Sequence, residues 1–373
     1  MSVFLGLMSG TSLDGIDGVA VSWAADDAPT LRVLAHVHQG FDGALRDELL
    51  ALNTQGPDEL ERAARAGIAL ARAYASVTRA VLELAGLTPS QVRALGAHGQ
   101  TVRHQPNAPA GGYTIQLLNG AVLAELSGVD VVCDLRSRDV AAGGQGAPLV
   151  PAFHADAFGA RGEARAVLNL GGIANVTLLH ADGRVGGFDC GPGNVLLDLW
   201  AARHRGSAYD DGGRWAASGT VDNALLQSML AEPYFQRSPP KSTGRDLFHA
   251  GWLDEQLARA GRTYSPADVQ TTLAELSARA AAEALQRHLR DARRLIVCGG
   301  GALNRHLMQR LAALLPAAQV QTGDDHGLPA QQVEAVAFAW LAREFVQRRC
   351  GNRPEVTGAA GPRILGCLYP SGS

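Results

Sequence analysis

Several widespread signatures are missing from this chain of 373 residues. It contains no GxxxxGK[ST] phosphate-binding loop, and no GxGxxG sequence opens a helix after the first predicted strand. These absences argue against the P-loop and dinucleotide-binding classes. The five cysteines are widely spread and form neither a CxxC pair nor a metal-like cluster. We interpret them as reduced thiols, as expected for a cytoplasmic protein.

The chain also lacks an excess of positive charge and a long apolar run. Lys and Arg number 33 against 36 Asp and Glu, so the net charge is -3 and nucleic-acid binding is not expected. No stretch approaches the roughly 18 apolar residues that span a bilayer. Asp14 and Asp17 interrupt the apolar start before a signal-peptide core is complete. The sequence therefore predicts a soluble cytoplasmic protein without a membrane partner.

Length and the order of predicted elements indicate a layered α/β protein of two domains. The chain is longer than one hydrophobic core usually organises. Hairpins are predicted over 3–23 and 166–188, and further strands at 93–98, 129–133 and 293–298. Helical spacing predicts a helix at 59–85, which Gly86 is expected to end. Further helices are predicted at 119–127, 194–204, 221–231, 268–290, 304–314 and 331–349. Gly- and Pro-rich loops are expected at 205–220 and 236–248. The two hairpins predict two similar halves, with a cleft between them.

Three glycine-bearing segments are candidates for binding a nucleotide. Segments 10–15 (GTSLDG) and 170–175 (LGGIAN) are predicted hairpin tips, and 295–304 (LIVCGGGALN) is a buried strand that enters three glycines. Glycine lets backbone amides approach a phosphate, hydroxyls donate to its oxygens, and a nearby carboxylate can hold magnesium through water. The alternatives are ordinary solvated turns and a tight strand-to-helix connection. Two such tips in similar halves favour the phosphate interpretation.

These segments resemble the phosphate and adenosine motifs of the acetate kinase, sugar kinase, heat-shock chaperone and actin superfamily. Within it, the chain resembles the anhydro-N-acetylmuramic acid kinase family through the runs MSGTSLDGID (8–17), HGQT (98–101), GGQGAPLVP (143–151), NLGGIAN (169–175) and FDCGPGN (188–194). The resemblance covers nearly the whole chain. It implies two actin-like (ribonuclease H-like) domains with a nucleotide cleft between them. The expected domains are 1–135 plus about 350–373, and 136–349.

The resemblance implies an enzyme of cell-wall recycling that uses ATP, Mg²⁺ and water. It would open 1,6-anhydro-N-acetylmuramic acid and yield the 6-phosphate and ADP, as a homodimer. The residues expected at the nucleotide come from the three glycine-bearing segments and are Gly10, Thr11, Ser12, Asp14, Gly15, Asp17, Gly171, Gly172, Asn175, Gly299, Gly300, Gly301 and Asn304. Asp14 is also the candidate to hold Mg²⁺ through water.

Asp189 is the predicted general base. It ends a predicted strand and precedes the GPGN turn, so we expect it at the rim of a sheet. A carboxylate there can remove a proton from the water that attacks the anomeric carbon. The alternative is that Asp189 only caps the helix that starts after Gly193.

The residues expected at the sugar are His98, Gln100, Thr101, Arg136 and Glu334. A lactyl carboxylate requires a cation, for which Arg136 is the first candidate and Arg138 the substitute. Glu334 is the only acid in the otherwise apolar run 333–341; charged residues on a helix are usually exposed, whereas the resemblance favours the cleft. A kinase for another sugar and an actin-like binding ATPase stay open as alternatives.

Overall fold

The computed structural model describes residues 1–10, 13–24, 31–244, 246–259 and 261–372. Its β-strands are β1 Ser2–Met8, β2 Gly15–Trp23, β3 Leu31–Gly40, β4 Val92–Ala97, β5 Gln100–Gln105, β6 Tyr113–Leu117, β7 Val131–Cys133, β8 Arg165–Leu170, β9 Ile173–Leu179, β10 Val185–Pro192, β11 Arg294–Cys298, β12 Gln319–Thr322 and β13 Cys367–Tyr369. Its α-helices are α1 Gly43–Ala51, α2 Glu59–Ala85, α3 Gly120–Ser127, α4 Ser137–Ala141, α5 Val150–Phe158, α6 Val195–Arg205, α7 Asn223–Leu230, α8 Ala250–Arg259, α9 Pro266–His288, α10 Arg305–Leu314, α11 Val333–Val346 and α12 Pro354–Thr357. Short 3-10 turns lie at Pro89–Gln91, Asp211–Gly213, Ala216–Ser218, Pro233–Gln236, Gly300–Leu303 and Gly323–His326.

The chain divides into two units, Met1–Ala157 with Gln332–Ser373, and Phe158–Gln331. This division differs from the domain ranges expected from sequence, because residues 136–157 and 332–349 belong to the first unit. The physical reason is the packing of α11, which lies against β1 and β4 in the first unit.

The sheets of the two units repeat one topology. The first sheet has the order β13-β7-β4-β1-β2-β3, and the second has the order β10-β9-β8-β11-β12. In each, the first three strands of the unit are antiparallel neighbours and the next two core strands are parallel. The short strand β13 adds an antiparallel edge to the first sheet. The prediction of two similar α/β halves is confirmed, and this is the topology of the actin-like fold.

Helix α2 buries one face against the first sheet. Leu70, Tyr74 and Val81 are buried at the spacing of an amphipathic helix. The helix ends at Gly86, whose φ of 65° lies in the left-handed region and whose backbone N–H donates to the carbonyl of Glu83. This confirms both the helix predicted over 59–85 and its glycine stop.

A pair of glycines brings α11 close to the first sheet. Gly6 on β1 and Gly96 on β4 lie side by side in the parallel register. A methyl group on Gly6 would overlap the carbonyl oxygen of Ala335, and one on Gly96 would overlap that of Phe338. The missing side chains therefore make the space in which the α11 backbone lies.

The second unit has its own core beneath its sheet. Helix α9 supplies a long buried surface that includes Leu273 and Leu276, with Phe248 and Trp252 packed in the same cluster. The buried carboxylate of Glu275 in α9 forms ion pairs with Arg279 and Arg310. Throughout the described ranges, no helix combines the length and the apolar character needed to cross a membrane.

Candidate active site

The Ser9–Gly10 turn after β1 is anchored by the HGQT segment. Nδ1 of His98 lies 3.0 Å from the carbonyl oxygen of Ser9, and Nε2 of Gln100 donates to the carbonyl of Gly10 at 3.2 Å. The Ser9 hydroxyl lies 2.8 Å from that of Tyr74. His98 and Gln100 thus hold the backbone that leads into the first predicted phosphate tip. Thr11 and Ser12, which were also predicted there, lie outside the described residues.

Arg136 lies against His98 in the first unit. Its Nη2 donates to Nε2 of His98 at 2.9 Å, and its Nη1 donates to the carbonyl of Gly146 at 2.8 Å. Because a guanidinium only donates, Nδ1 of His98 must carry the proton that is given to Ser9. Burial, reinforced by the charge of Arg136, lowers the pKa of His98 to about 3. The histidine is therefore neutral and orients the arginine without adding charge.

The charge of Arg136 is kept despite its surroundings. Burial lowers the pKa of Arg136 to about 10, while the nearby carboxylates of Glu334 and Asp139 oppose that shift. The partly buried Glu334 thus acts on Arg136 within the same unit. The structure therefore brings together three of the predicted sugar-site residues, His98, Arg136 and Glu334.

Asp139 is a positioning residue that sequence reasoning did not single out. Its fully buried carboxylate accepts from the Asn352 side chain at 2.7 Å, the Thr357 hydroxyl at 2.8 Å and the backbone N–H of Gly146 at 2.8 Å. These bonds fix the glycine-rich loop whose Gly146 carbonyl receives Arg136. The only signal in the sequence was an acid just before the GGQG run.

Two further candidates for the sugar site have different surroundings. Thr101 on β5 is partly buried, and its hydroxyl accepts from the Gln116 side chain at 3.3 Å. Arg138 is exposed on α4, whereas Arg136 is held from two sides. A guanidinium that is already oriented loses less freedom on binding an anion, which favours Arg136 over Arg138.

The two acids of the first hairpin face different partners. Asp14 is exposed, and its carboxylate accepts from the backbone N–H of Gly15 at 3.0 Å. Asp17 lies within β2 and contacts the rings of His36 at 2.9 Å and His38 at 3.1 Å. Asp17 is therefore part of the sheet, next to β3, and Asp14 is the more solvent-exposed of the two acids.

The second predicted phosphate tip, between β8 and β9, is closed by the GPGN segment. The backbone N–H of Gly193 donates to the carbonyl of Gly172 at 2.9 Å, and that of Asn194 donates to Gly171 at 2.8 Å. The Asn194 side chain donates to the carbonyl of Leu170 at 3.0 Å. A methyl group on Gly193 would overlap the Gly171 carbonyl. The carbonyls of the tip are thus bonded to residues 193 and 194.

The third glycine segment lies next to this tip. Gly299 has a φ of 79°, and a methyl group there would overlap the amide oxygen of Asn169. A methyl on Gly301 would overlap Leu170, whereas no described atom lies within 4 Å of one on Gly300. The buried Asn169 oxygen has no hydrogen-bond partner among the described residues. Bare backbone, open space and an unused acceptor fit the edge of a nucleotide.

Two predicted nucleotide residues have local structural partners. Asn304 caps α10, because its side-chain oxygen accepts from the Leu307 backbone N–H at 3.1 Å. Asn175 lies on β9 directly opposite Asp189 on β10. The first is thus a helix cap next to the glycine segment, and the second is a neighbour of the predicted base.

Asp189 ends its regular pairing at a bulge in β10. Its Oδ2 accepts from the backbone N–H of Thr243 at 3.0 Å, and its carbonyl accepts from the Tyr234 hydroxyl at 2.7 Å. The helix after Gly193 has Asn194 at its N-cap position, so Asp189 does not occupy it. The geometry therefore argues against the capping alternative.

The acidity of Asp189 is shifted by its surroundings. Burial raises its pKa to about 6, and the Thr243 N–H and the Lys241 ammonium group oppose that rise. The group is therefore ionised at neutral pH and protonated in mild acid. A carboxylate with a pKa close to the working pH suits general base catalysis.

The family model described as anhydro-N-acetylmuramic acid kinase matches residues 2–371. The chain belongs to the anhydro-N-acetylmuramic acid kinase family. Among relatives that carry this name, the protein of Bordetella petrii is 57% identical, with 99% of this chain and 96% of the relative covered. The protein of Cupriavidus metallidurans is 56% identical, with 99% and 97% covered. The protein of Cupriavidus pinatubonensis is 55% identical, with 98% of each covered.

Among the side chains that the structure describes, no group of three His, Cys, Asp or Glu residues is arranged to hold a metal ion. Mg²⁺ in phosphate-transferring sites usually keeps several waters and binds through one or two carboxylates and the substrate phosphates. The exposed carboxylate of Asp14 fits this pattern of sparse protein ligation.

Proposed function

We propose that this chain is an ATP-dependent kinase that opens 1,6-anhydro-N-acetylmuramic acid with water and phosphorylates its 6-oxygen. The products are N-acetylmuramic acid 6-phosphate and ADP, as expected for cell-wall recycling. The observation that carries the proposal is the Asp189 carboxylate. It is fixed by the Thr243 N–H, has a pKa of about 6, and lies beside the glycine tip in a chain that belongs to a kinase family. A cytoplasmic location follows from the use of ATP, and a homodimer stays a prediction from resemblance.

The substrate dictates what the base must do. The 6-oxygen of the anhydro sugar is bonded to the anomeric carbon and has no proton to lose. Water must therefore form the new bond at the anomeric carbon while its proton passes to the Asp189 carboxylate. The bond to the 6-oxygen breaks, and this oxygen takes the phosphoryl group from ATP. Attack from the face opposite the bridge inverts the carbon and gives the α-anomer, as in inverting glycoside hydrolysis.

Arg136 is the residue that we assign to the lactyl carboxylate of the sugar. Its support comes from the His98 ring and the Gly146 carbonyl, which orient the guanidinium. A guanidinium matches a carboxylate with two parallel hydrogen bonds. Glu334 lies in the same charged cluster and is assigned to a polar group of the sugar. Gln100 and Thr101 complete the predicted set.

The glycine-bearing segments are assigned to ATP. Gly171 and Gly172 offer backbone at the tip, and Gly299 to Gly301 offer the open surface beside the unused Asn169 oxygen. Gly10 supplies the corresponding turn in the first unit. Mg²⁺, when bound, neutralises charge on the transferred phosphoryl group, and Asp14 is the candidate to hold it through water.

A coupled assay for ADP release tests the substrate. We expect release with 1,6-anhydro-N-acetylmuramic acid, and much slower release with N-acetylmuramic acid, glucose or 1,6-anhydro-N-acetylglucosamine. The last compound keeps the bridge and lacks the lactyl group, so it reports on Arg136 separately. Preferred turnover of glucose would identify a kinase for another sugar. Release that no sugar stimulates would identify a binding ATPase.

Gly172→Val is expected to weaken ATP binding about tenfold or more while the fold survives. A Cβ added at this position meets nothing closer than the Val195 Cβ at 3.9 Å among the described residues, so we expect the fold to tolerate the substitution. The added side chain would occupy the space that we assign to phosphate. Calorimetric titration with a non-hydrolysable ATP analogue measures the affinity, and a melting curve checks the fold.

Gly43→Val is the matched control, because an added side chain there also meets nothing within 4 Å. This variant should bind the analogue like the parent. Parent-like affinity of a folded Gly172→Val protein would contradict the assignment of the tip to phosphate.

A further inference from the structure

Lys241 lies in a segment that the sequence identified only as a loop. Its ammonium group is 4.7 Å from the centre of the Tyr234 ring and 5.7 Å from that of Phe188. It donates to the backbone carbonyls of Tyr234 at 3.3 Å and Phe235 at 3.5 Å. Among the described side chains, no carboxylate lies within ion-pair distance of Lys241. The cation is therefore held by aromatic faces and carbonyls.

The same segment contacts Asp189 at three points. The Tyr234 hydroxyl donates to the Asp189 carbonyl at 2.7 Å, and the Thr243 N–H donates to its carboxylate at 3.0 Å. The backbone N–H of Asp189 donates to the Lys241 carbonyl at 3.3 Å. Backbone and carboxylate of Asp189 are thus both placed by residues 234–243.

We propose that Lys241 is a positioning residue for Asp189: its ammonium group, bonded to the carbonyls of Tyr234 and Phe235, holds segment 234–243 against β10 and so places the Asp189 carboxylate. This inference rests on the proposed role of Asp189 as the base. The lysine acts through Asp189 and does not touch the reacting atoms. Its position between two carbonyls and two rings fixes the distance between cation and carboxylate.

The other charged and titratable groups around this pair are few. Tyr234 and Cys190 face Asp189, and burial raises the pKa of both, so they stay neutral in the working range. Lys241 itself is surrounded by Arg237, Arg287, His288 and Cys190, and Glu283 lines the same crevice. Lys241 is the cation whose charge lowers the pKa of Asp189. Without Lys241, only the Thr243 N–H counteracts the effect of burial, so the pKa of Asp189 rises.

Lys241→Met removes the charge and nearly keeps the length of the side chain. Methionine is unbranched, flexible and no larger than lysine, so it fits the space that Lys241 occupies. Because the base must be ionised, the rate falls as the pH drops through its pKa. In the parent, kcat/KM with the anhydro sugar should fall below about pH 6. We call this fall of kcat/KM at low pH the acidic limb. In Lys241→Met the midpoint of the acidic limb should rise by about one pH unit.

The size of the effect should depend on pH. At pH 6 the variant should be roughly fivefold slower, and above pH 8 it should approach the parent, since the carboxylate is then ionised in both proteins. Lys241→Arg keeps the charge and should restore the limb to about pH 6. Lys241→Gln keeps a donor for the two carbonyls without the charge, and should shift the limb even if the methionine variant does not fold.

Arg287→Met is the matched control for a purely structural role. Arg287 donates to the same Phe235 carbonyl at 3.2 Å, but it is not among the groups that shift the pKa of Asp189. Its loss should leave the limb in place. A carbon-13 NMR titration of labelled aspartate, with Asp189→Asn to identify the signal, reads the carboxyl pKa without turnover.

The possible outcomes distinguish a failure of the role proposed for Lys241 from a failure of the role proposed for Asp189. An unmoved limb and an unmoved NMR pKa in both uncharged variants would overturn the role of Lys241, as would an equal loss of rate at every pH. If Asp189→Asn were as active as the parent, the proposed base itself would be wrong. A shifted limb that Lys241→Arg restores supports the inference.

Discussion

Asp189→Asn should lower kcat by a factor on the order of 10²–10⁴, the usual contribution of a general base. The substitution keeps the size of the side chain and can still accept from the Thr243 N–H. It loses the basicity that takes the proton from water. Calorimetry should show ATP-analogue binding like that of the parent, because Asp189 is not assigned to the nucleotide.

Heavy-oxygen water gives the chemical test of the same step. The label should appear on the anomeric carbon of the sugar 6-phosphate and be absent from the transferred phosphoryl group. NMR during early turnover should show the α-anomer first. Asp182→Asn, an exposed acid in the turn before β10, should leave the rate unchanged. Label in the phosphoryl group, early β-anomer or a near-normal rate of Asp189→Asn would each refute the mechanism.

Gly96→Val should destabilise the first unit by about 3 kcal/mol. The new side chain would overlap the Phe338 carbonyl and approach the Ala342 side chain at 3.2 Å, so α11 must move off the sheet. Backbone cannot yield as a flexible side chain can. Hydrogen–deuterium exchange followed by mass spectrometry should show faster exchange in β1, β4 and α11.

The second unit serves as an internal reference in the same exchange experiment. Peptides from the second unit, such as those of β8 and β11, should exchange at the parent rate. Gly43→Val should leave both units protected, because an added side chain there meets open space. Unchanged protection of β1 and β4 in Gly96→Val would show that the close approach of α11 is not needed.

Strong local patterns made much of the fold predictable. The β1–β2 hairpin, α2 with its stop at Gly86, and the β8–β9–β10 meander were all expected where the structure has them. Asp189 was identified as a candidate because a strand, an acid and a glycine turn follow one another in sequence. Whether it acts as the base stays a prediction, now with a geometry that suits it.

The missed features have weaker local signals or depend on distant residues. Strand β3 carries His36 and His38 and is only partly buried, so its pattern did not stand out. Helix α8 follows directly after a Gly- and Pro-rich segment. Thr243 is 54 residues from Asp189, and Asn352 is 213 residues from Asp139. Such partners are selected by the tertiary fold, which no local pattern reveals.

The discontinuity of the first unit has a consequence for biosynthesis. Domains usually fold in the order in which the ribosome delivers them. Here Gly6 and Gly96 emerge early, but the helix that covers them belongs to Gln332–Ser373 and is translated after the whole of the second unit. The continuous segment Phe158–Gln331 has all of its own strands well before that point. The second unit can therefore finish folding before the first. Until α11 leaves the exit tunnel, one face of the sheet at β1 and β4 stays uncovered.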